Sequence, residues 1–159
     1  KIFPPPTLEG LHVPVAFIEE VETEIPSAKA FVDAVRAKYP KTPYVNQPAR
    51  CAYTAVNLMA LAWQKAGSTD TDAVIGALQS GLKFDAPEGP VTLDPATHQV
   101  AMDIRLAQVQ ADHSIKFVED FGVIGPWWLK SLGVDLTKKP ESKQYLPGDD
   151  PKMAKYLKK

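Results

Sequence analysis

The stretch that most constrains this chain is residues 48–66. Pro48 suits the start of a helix and Gly67 its end. Between them Ala49, Ala52, Tyr53, Ala55, Val56, Leu58, Met59, Leu61, Ala62 and Trp63 leave little polar surface. A helix that is apolar nearly all round is buried from several sides. Fully burying one large apolar side chain is worth about 1.5–3 kcal/mol, so leaving such a helix bare is costly. The rest of the chain offers one clear hairpin and two short strands. The reading that follows is that the other face of this helix belongs against a sheet these 159 residues do not contain. Left alone, the chain is expected to dimerise, aggregate or meet another polypeptide.

The flanking segments fall into place around it. Residues 11–17 read as a short strand, and Pro14 puts it at a sheet edge or in a crossover between lobes. Pro26 opens a second helix over 26–39, with Phe31, Ala34 and Val35 at three- and four-residue spacing. Asp70 or Thr69 caps a third helix over 71–80. Met102, Ile104 and Leu106 alternate with Asp103 and Arg105, which predicts an antiparallel hairpin over 101–118 with its turn at Asp112-His113. Val109 breaks the alternation and predicts a bulge there. Residues 121–159 carry Pro126, Pro140, Pro147 and Pro151 and read as an irregular tail, leaving 1–120 as the folded body.

Composition closes off several classes of function. The 18 Lys plus Arg against 19 Asp plus Glu give no bulk charge for a nucleic-acid partner. No phosphate-binding loop, His-Glu-x-x-His or Gly-x-Ser-x-Gly occurs. His12, His98 and His113 are not at metal-ligand spacing and read as surface or turn residues. Cys51 reads as a small buried hydrophobe. The expectation is no catalytic residue, no metal and no cofactor, hence no enzyme. Glu19, Glu20, Glu22 and Glu24 fit a solvated acidic loop, a calcium site or an ammonium-binding site. Trp127 and Trp128 fit a docking patch or the packing of the tail. No apolar run spans a bilayer, and Lys1-Ile2-Phe3-Pro4 lacks the apolar core of a signal peptide.

The order of motifs resembles one family. Ala52-Tyr53-Thr54-Ala55-Val56, then Lys65-Ala66-Gly67-Ser68-Thr69-Asp70, then Ala86-Pro87-Glu88-Gly89-Pro90-Val91, then Asp94-Pro95 with His98, follow the order of the C-terminal part of type I periplasmic solute-binding proteins. The closest branch looks like the receptors for urea, short-chain amides and branched-chain amino acids in ABC transporters. Gln99 stands where the family often has a second His, and His113 where its hairpin turn often has Gly. The resemblance covers about residues 8–120.

It implies an α/β fold, the C-terminal portion of a two-lobed receptor. The implied partners are a small polar ligand, the N-terminal half of the receptor and a membrane permease, in the periplasm or outside the cell. The implied mechanism is lobe closure without bond chemistry. The cleft would be lined by Phe17 and Val45 as apolar walls, Glu19 as acceptor for ligand N–H groups and Asn46 as polar anchor. Asn46 also suits the simpler role of capping the helix. Two other readings remain open: a cytoplasmic amide sensor of the same fold, and a structural module of a larger enzyme complex.

Overall fold

The computed structural model describes residues 3–20, 25–42 and 44–138. In chain order these form β1 (His12–Val15), α1 (Pro26–Lys38), α2 (Gln47–Ala66), α3 (Thr71–Leu78), β2 (Lys83–Ala86), β3 (Gly89–Leu93), β4 (Val100–Val109), β5 (Ile115–Ile124) and α4 (Trp127–Ser131). The helices α1, α2 and α3 stand within two residues of where periodicity and capping put them. Asn46 caps α2, its side-chain oxygen accepting the Ala49 N–H at 3.3 Å. Gly67 ends α2 in the left-handed region at φ +61°, its N–H bonded to the Trp63 carbonyl, the usual glycine stop. Asp70 caps α3 through the Ala73 N–H at 3.0 Å. Among the described residues no helix is long and apolar enough to cross a membrane.

One antiparallel sheet joins all five strands. β4 pairs with β1, β3 and β5, and β3 carries β2 outside it. Pro14, opposite Leu106, lies in the edge strand β1, where its missing donor is harmless. Two features depart from the sequence reading. The β4–β5 pairing extends to Ile124, and α4 follows it, so residues 121–131 are regular structure and not an irregular tail. Residues 139–159 lie outside the described residues. The bulge also moves. Asp103 faces Val123 and Arg105 faces Asp120, so β5 gains one residue on β4, and it gains another between Glu119 and Phe117. Val109 simply pairs with Ile115. The broken alternation in β4 was answered by its partner, with Gly122 at φ +64° inside the first slip.

α2 buries one narrow stripe, Arg50, Thr54, Leu58 and Ala62, at four-residue spacing. Leu58 packs with Ala86 and Val91, flanked by Phe84, Val100 and Met102. Ala62 packs with Val74 and Ala77 of α3. Several large apolar side chains stay open: Val56 is 69% exposed, Trp63 48%, and Tyr53 43% although its ring meets Phe31 and Phe84. Cys51 is exposed as well, not buried, because it sits one residue off the stripe. The C-terminal segment attaches by polar contacts. Lys130 pairs with Asp94, and the Leu136 N–H reaches the Ala96 carbonyl at 2.7 Å. Trp127 and Trp128 contact each other edge-on, centroids 6.2 Å apart, and remain largely exposed.

A buried group of charges joins α2 to the sheet. β2 and β3 form a hairpin whose two-residue turn, Pro87-Glu88, sits between the paired Ala86 and Gly89. Glu88 is wholly buried, and its Oε1 lies 2.7 Å from Arg50 Nη1, itself on a buried side chain. The approach is off-axis, so neither Glu88 oxygen has an aligned hydrogen bond among the described residues. Arg105 donates to the Glu88 carbonyl at 3.3 Å and lies 3.6 Å from Asp103 and 3.4 Å from Asp120. Gly89 is obligatory here: its φ is +115°, and a Cβ would stand 2.7 Å from Asp103 Oδ2. Burial raises the Glu88 carboxyl above its ordinary value, assisted by Asp103 and opposed by Arg50.

Two predictions follow from this packing. Leu58→Ala should lower the stability of the chain by about 2–5 kcal/mol, and Val56→Ala on the open face by less than about 0.5 kcal/mol, both read from urea unfolding. Arg50→Met should cost about 3–5 kcal/mol by stranding a buried carboxylate, and Arg50→Met/Glu88→Leu should recover most of that loss. The pH dependence has a defined sign. A raised folded pKa means Glu88 contributes stability fully below the ordinary 4.5 and loses it as pH rises through the raised value. Glu88→Gln should remove that component from the pH–stability curve.

Candidate ligand cleft at the start of α2

The four residues expected to line a cleft lie close together, but Phe17 and Val45 are core residues and not cleft walls, and none of the four lines the groove beside them. Phe17 and Val45 belong to one buried cluster with Ala28, Phe31 and Val32. Phe17 meets Phe31 edge-on at 5.8 Å, and Phe31 meets Tyr53 of α2 at 5.0 Å. Both Phe17 and Val45 are under 2% exposed. Their side chains therefore face the core and brace the start of α2 from beneath. Asn46 is exposed, with its side-chain oxygen engaged in the cap.

Glu19 is the centre of a polar knot. Its Oε1 accepts from Arg36 Nε at 2.9 Å and also from Arg36 Nη2. Its Oε2 accepts the Val45 N–H at 2.8 Å. Arg36 Nη1 donates to the Thr42 carbonyl at 3.2 Å. The Tyr44 hydroxyl accepts the Glu19 N–H at 3.3 Å and donates to Glu20. Burial, with the Glu20 carboxylate next, pushes the Tyr44 phenol well above its ordinary value. Glu22 and Glu24, the rest of the acidic loop, lie outside the described residues. Arg36 and Tyr44 were not singled out in the sequence; their only signal was that a short acidic run after a strand needs partners nearby.

Beside the knot a groove of about 450 Å³ runs between α2 and the β1–β4 pair. Pro14, Ala16, Leu58, Met102 and Ile104 give it apolar walls, and Gln47, Arg50 and Thr54 its polar groups. Thr54 Oγ1 and Arg50 Nε are buried without a hydrogen-bond partner among the described residues. Apolar walls with a few placed polar groups are the usual make-up of a small-molecule site. The histidines lie apart from it and from one another. His98 and His113 occupy turns at positive φ, and His12 contacts Gln108 on the sheet edge. Among the described residues no three His, Cys, Asp or Glu side chains come together as a metal site.

Comparison with known proteins agrees with this architecture. The family model described as periplasmic binding protein matches residues 3–114. No curated protein matches the chain. Among solved structures, a solute-binding protein of an ABC transporter from Rhodopseudomonas palustris, in complex with 4-hydroxybenzoate, superposes with a TM-score of 0.69 at 25% identity, over 79% of this chain and 34% of that one. A second, from R. palustris HaA2 with p-hydroxybenzoic acid, gives 0.68 at 24%, over 79% and 34%. A leucine binding protein from Thermotoga maritima gives 0.58 at 23%, over 78% and 33%. The chain thus spans about a third of the length of these structures. With its α/β core, the stretch 3–114 matched by the family model and this structural likeness, the chain belongs to the periplasmic binding proteins and has part of their type I fold.

Proposed function

We propose that this chain is the C-terminal portion of the substrate-binding component of an ABC transporter, acting in the periplasm. It binds a small ligand between two lobes, closes on it and delivers it to a membrane permease, without making or breaking a bond. The observation that carries this reading is the groove of apolar walls and a few polar groups between α2 and the β1–β4 pair, in a fold shared with solute-binding proteins. Asn46 and Gln47 present the polar surface of the cleft, while Phe17 and Val45 support it from the core. Ligands named for the similar structures are 4-hydroxybenzoate, in two of them, and leucine. Small amides, urea and branched-chain amino acids complete the set to be tried.

The remaining portion of the receptor is the first partner. The open face of α2 and the groove beside it are apolar, and the similar structures are about three times as long as their match to this chain. A patch of that kind on a soluble monomer marks an interaction surface.

Two measurements test the proposal. Joined to the rest of its receptor, the chain should show a raised melting temperature with at least one of leucine, isoleucine, urea, acetamide or 4-hydroxybenzoate, reflecting a stabilisation of roughly 2.7 kcal/mol at a hundredfold excess over Kd. Silence across the panel would sink the transport reading. The 159 residues alone should self-associate and bind a hydrophobic dye, and the rest of the receptor should suppress both. A monodisperse monomer without dye binding would remove the partner.

A further inference from the structure

The contacts around Glu19 assign it a role other than holding the ligand. Its Oε2 is occupied by the Val45 N–H and its Oε1 by the Arg36 guanidinium, and the residue is 9% exposed. The same guanidinium holds the Thr42 carbonyl, and Tyr44 bridges the Glu19 N–H and Glu20. Three segments distant in sequence therefore meet on one carboxylate: the end of β1, the last turns of α1, and the connection that leads into α2. Each link is polar and directional, and the Glu19 contacts are charge-assisted, the stronger class of hydrogen bond.

Below this knot the packing is apolar and continuous, through Phe17, Phe31, Val32 and Val45. Hydrophobic contact is non-directional and sets no backbone orientation by itself. Charged side chains hold two backbone groups of that connection, the Thr42 carbonyl through Arg36 and the Val45 amide through Glu19, and Asn46 follows Val45 immediately.

We propose that Glu19 is a positioning residue. With Arg36 as its counter-charge, it fixes the Val45 amide and thereby the orientation of Asn46 and the first turn of α2, without touching the ligand. This rests on the reading of the α2 start as cleft surface. It gives the knot a purpose in recognition: the cleft surface is oriented before any ligand arrives, which removes an ordering cost from binding.

The test uses Glu19→Ala, Glu19→Gln and Arg36→Met, in the 159-residue chain and in the chain joined to the rest of its receptor. In the chain, amide hydrogen exchange is followed at Val45 and along the first turn of α2, with the α2–α3 contact around Ala62 as internal reference. In the receptor, leucine and 4-hydroxybenzoate are titrated as probes with and without an amine. Glu19→Ala and Arg36→Met should speed exchange at Val45 selectively and weaken whichever probe binds by about tenfold, the worth of one charge-assisted hydrogen bond. Glu19→Gln keeps an acceptor for the Val45 N–H and should lose less. Unchanged exchange at Val45 in Glu19→Ala, with Ala62 also unchanged, overturns the proposal. So does a loss confined to leucine that is equal in Glu19→Gln and Glu19→Ala, which would make Glu19 a direct partner of the ligand amine. If neither probe binds the unaltered receptor, the choice of ligands in the transport reading falls, and exchange at Val45 still decides the role of Glu19. Should Glu19→Ala fail to fold, Arg36→Met and Glu19→Gln carry the same comparison.

Discussion

The pairing of β4 with three other strands is the constraint on which the rest of this structure depends. β1 and β5 run along it over the same residues, 105–108, and so take opposite edges. β3 pairs with its first residues and brings β2 along. The helices are placed through this strand: Met102 and Val100 flank Leu58 of α2, and Arg105 reaches the turn that holds Arg50. Remove β4 and no other strand among the described residues joins β1 to β3. Its neighbours adapt to it, as the two extra residues of β5 record.

Two polar centres then orient α2 within that frame. Glu19 and its partners act on the connection that precedes the helix, and Glu88 acts one turn further along through Arg50. The second centre is costly, since its carboxylate is fully desolvated and its partner poorly aligned. Buried ion pairs of this kind contribute little net stability. This one agrees with the apolar packing of Leu58 and Ala62 about the rotation of α2. Arg50 must face the β2–β3 turn, and with it Thr54, Leu58 and Ala62 face inward. Two large apolar residues, Val56 and Trp63, are left outward, where composition alone would not put them.

That outcome shows where the sequence was legible. Helix limits rest on local chemistry, and Asn46, Gly67 and Asp70 announce them in the order of residues. The strand content around Met102 was readable from its alternation. Three things were not. The Ala86-Pro87-Glu88-Gly89 stretch reads as the stiff entry to one short strand, and nothing in it reveals that residues 83–86 and 89–92 pair as a hairpin. The bulge was assigned to the wrong strand, since a break in alternation does not say which partner bears the extra residue. Cys51 was sent inward because Arg50 was not seen as a buried residue, and a shift of one position on a helix turns a side chain by about 100°. Glu19 and Val45 were named through family resemblance, but the knot beside the groove joins Glu19, Arg36 and Val45 across separations that no local pattern encodes.

The pairing of His12 with Gln108 spans 96 positions, and it sets a timetable for assembly. The other three pairings, β2 with β3, β3 with β4 and β4 with β5, are between neighbours in the chain and close short loops. Loop closure is entropically cheaper the shorter the loop, and long-range contacts slow folding. Short loops favour closing the β2 to β5 meander ahead of docking β1 onto the β4 edge. During synthesis, at about 5–20 residues per second, β1 waits several seconds for that edge. Through that interval it is an extended, proline-bearing segment, and Pro14 makes it a poor template for pairing with a neighbouring chain.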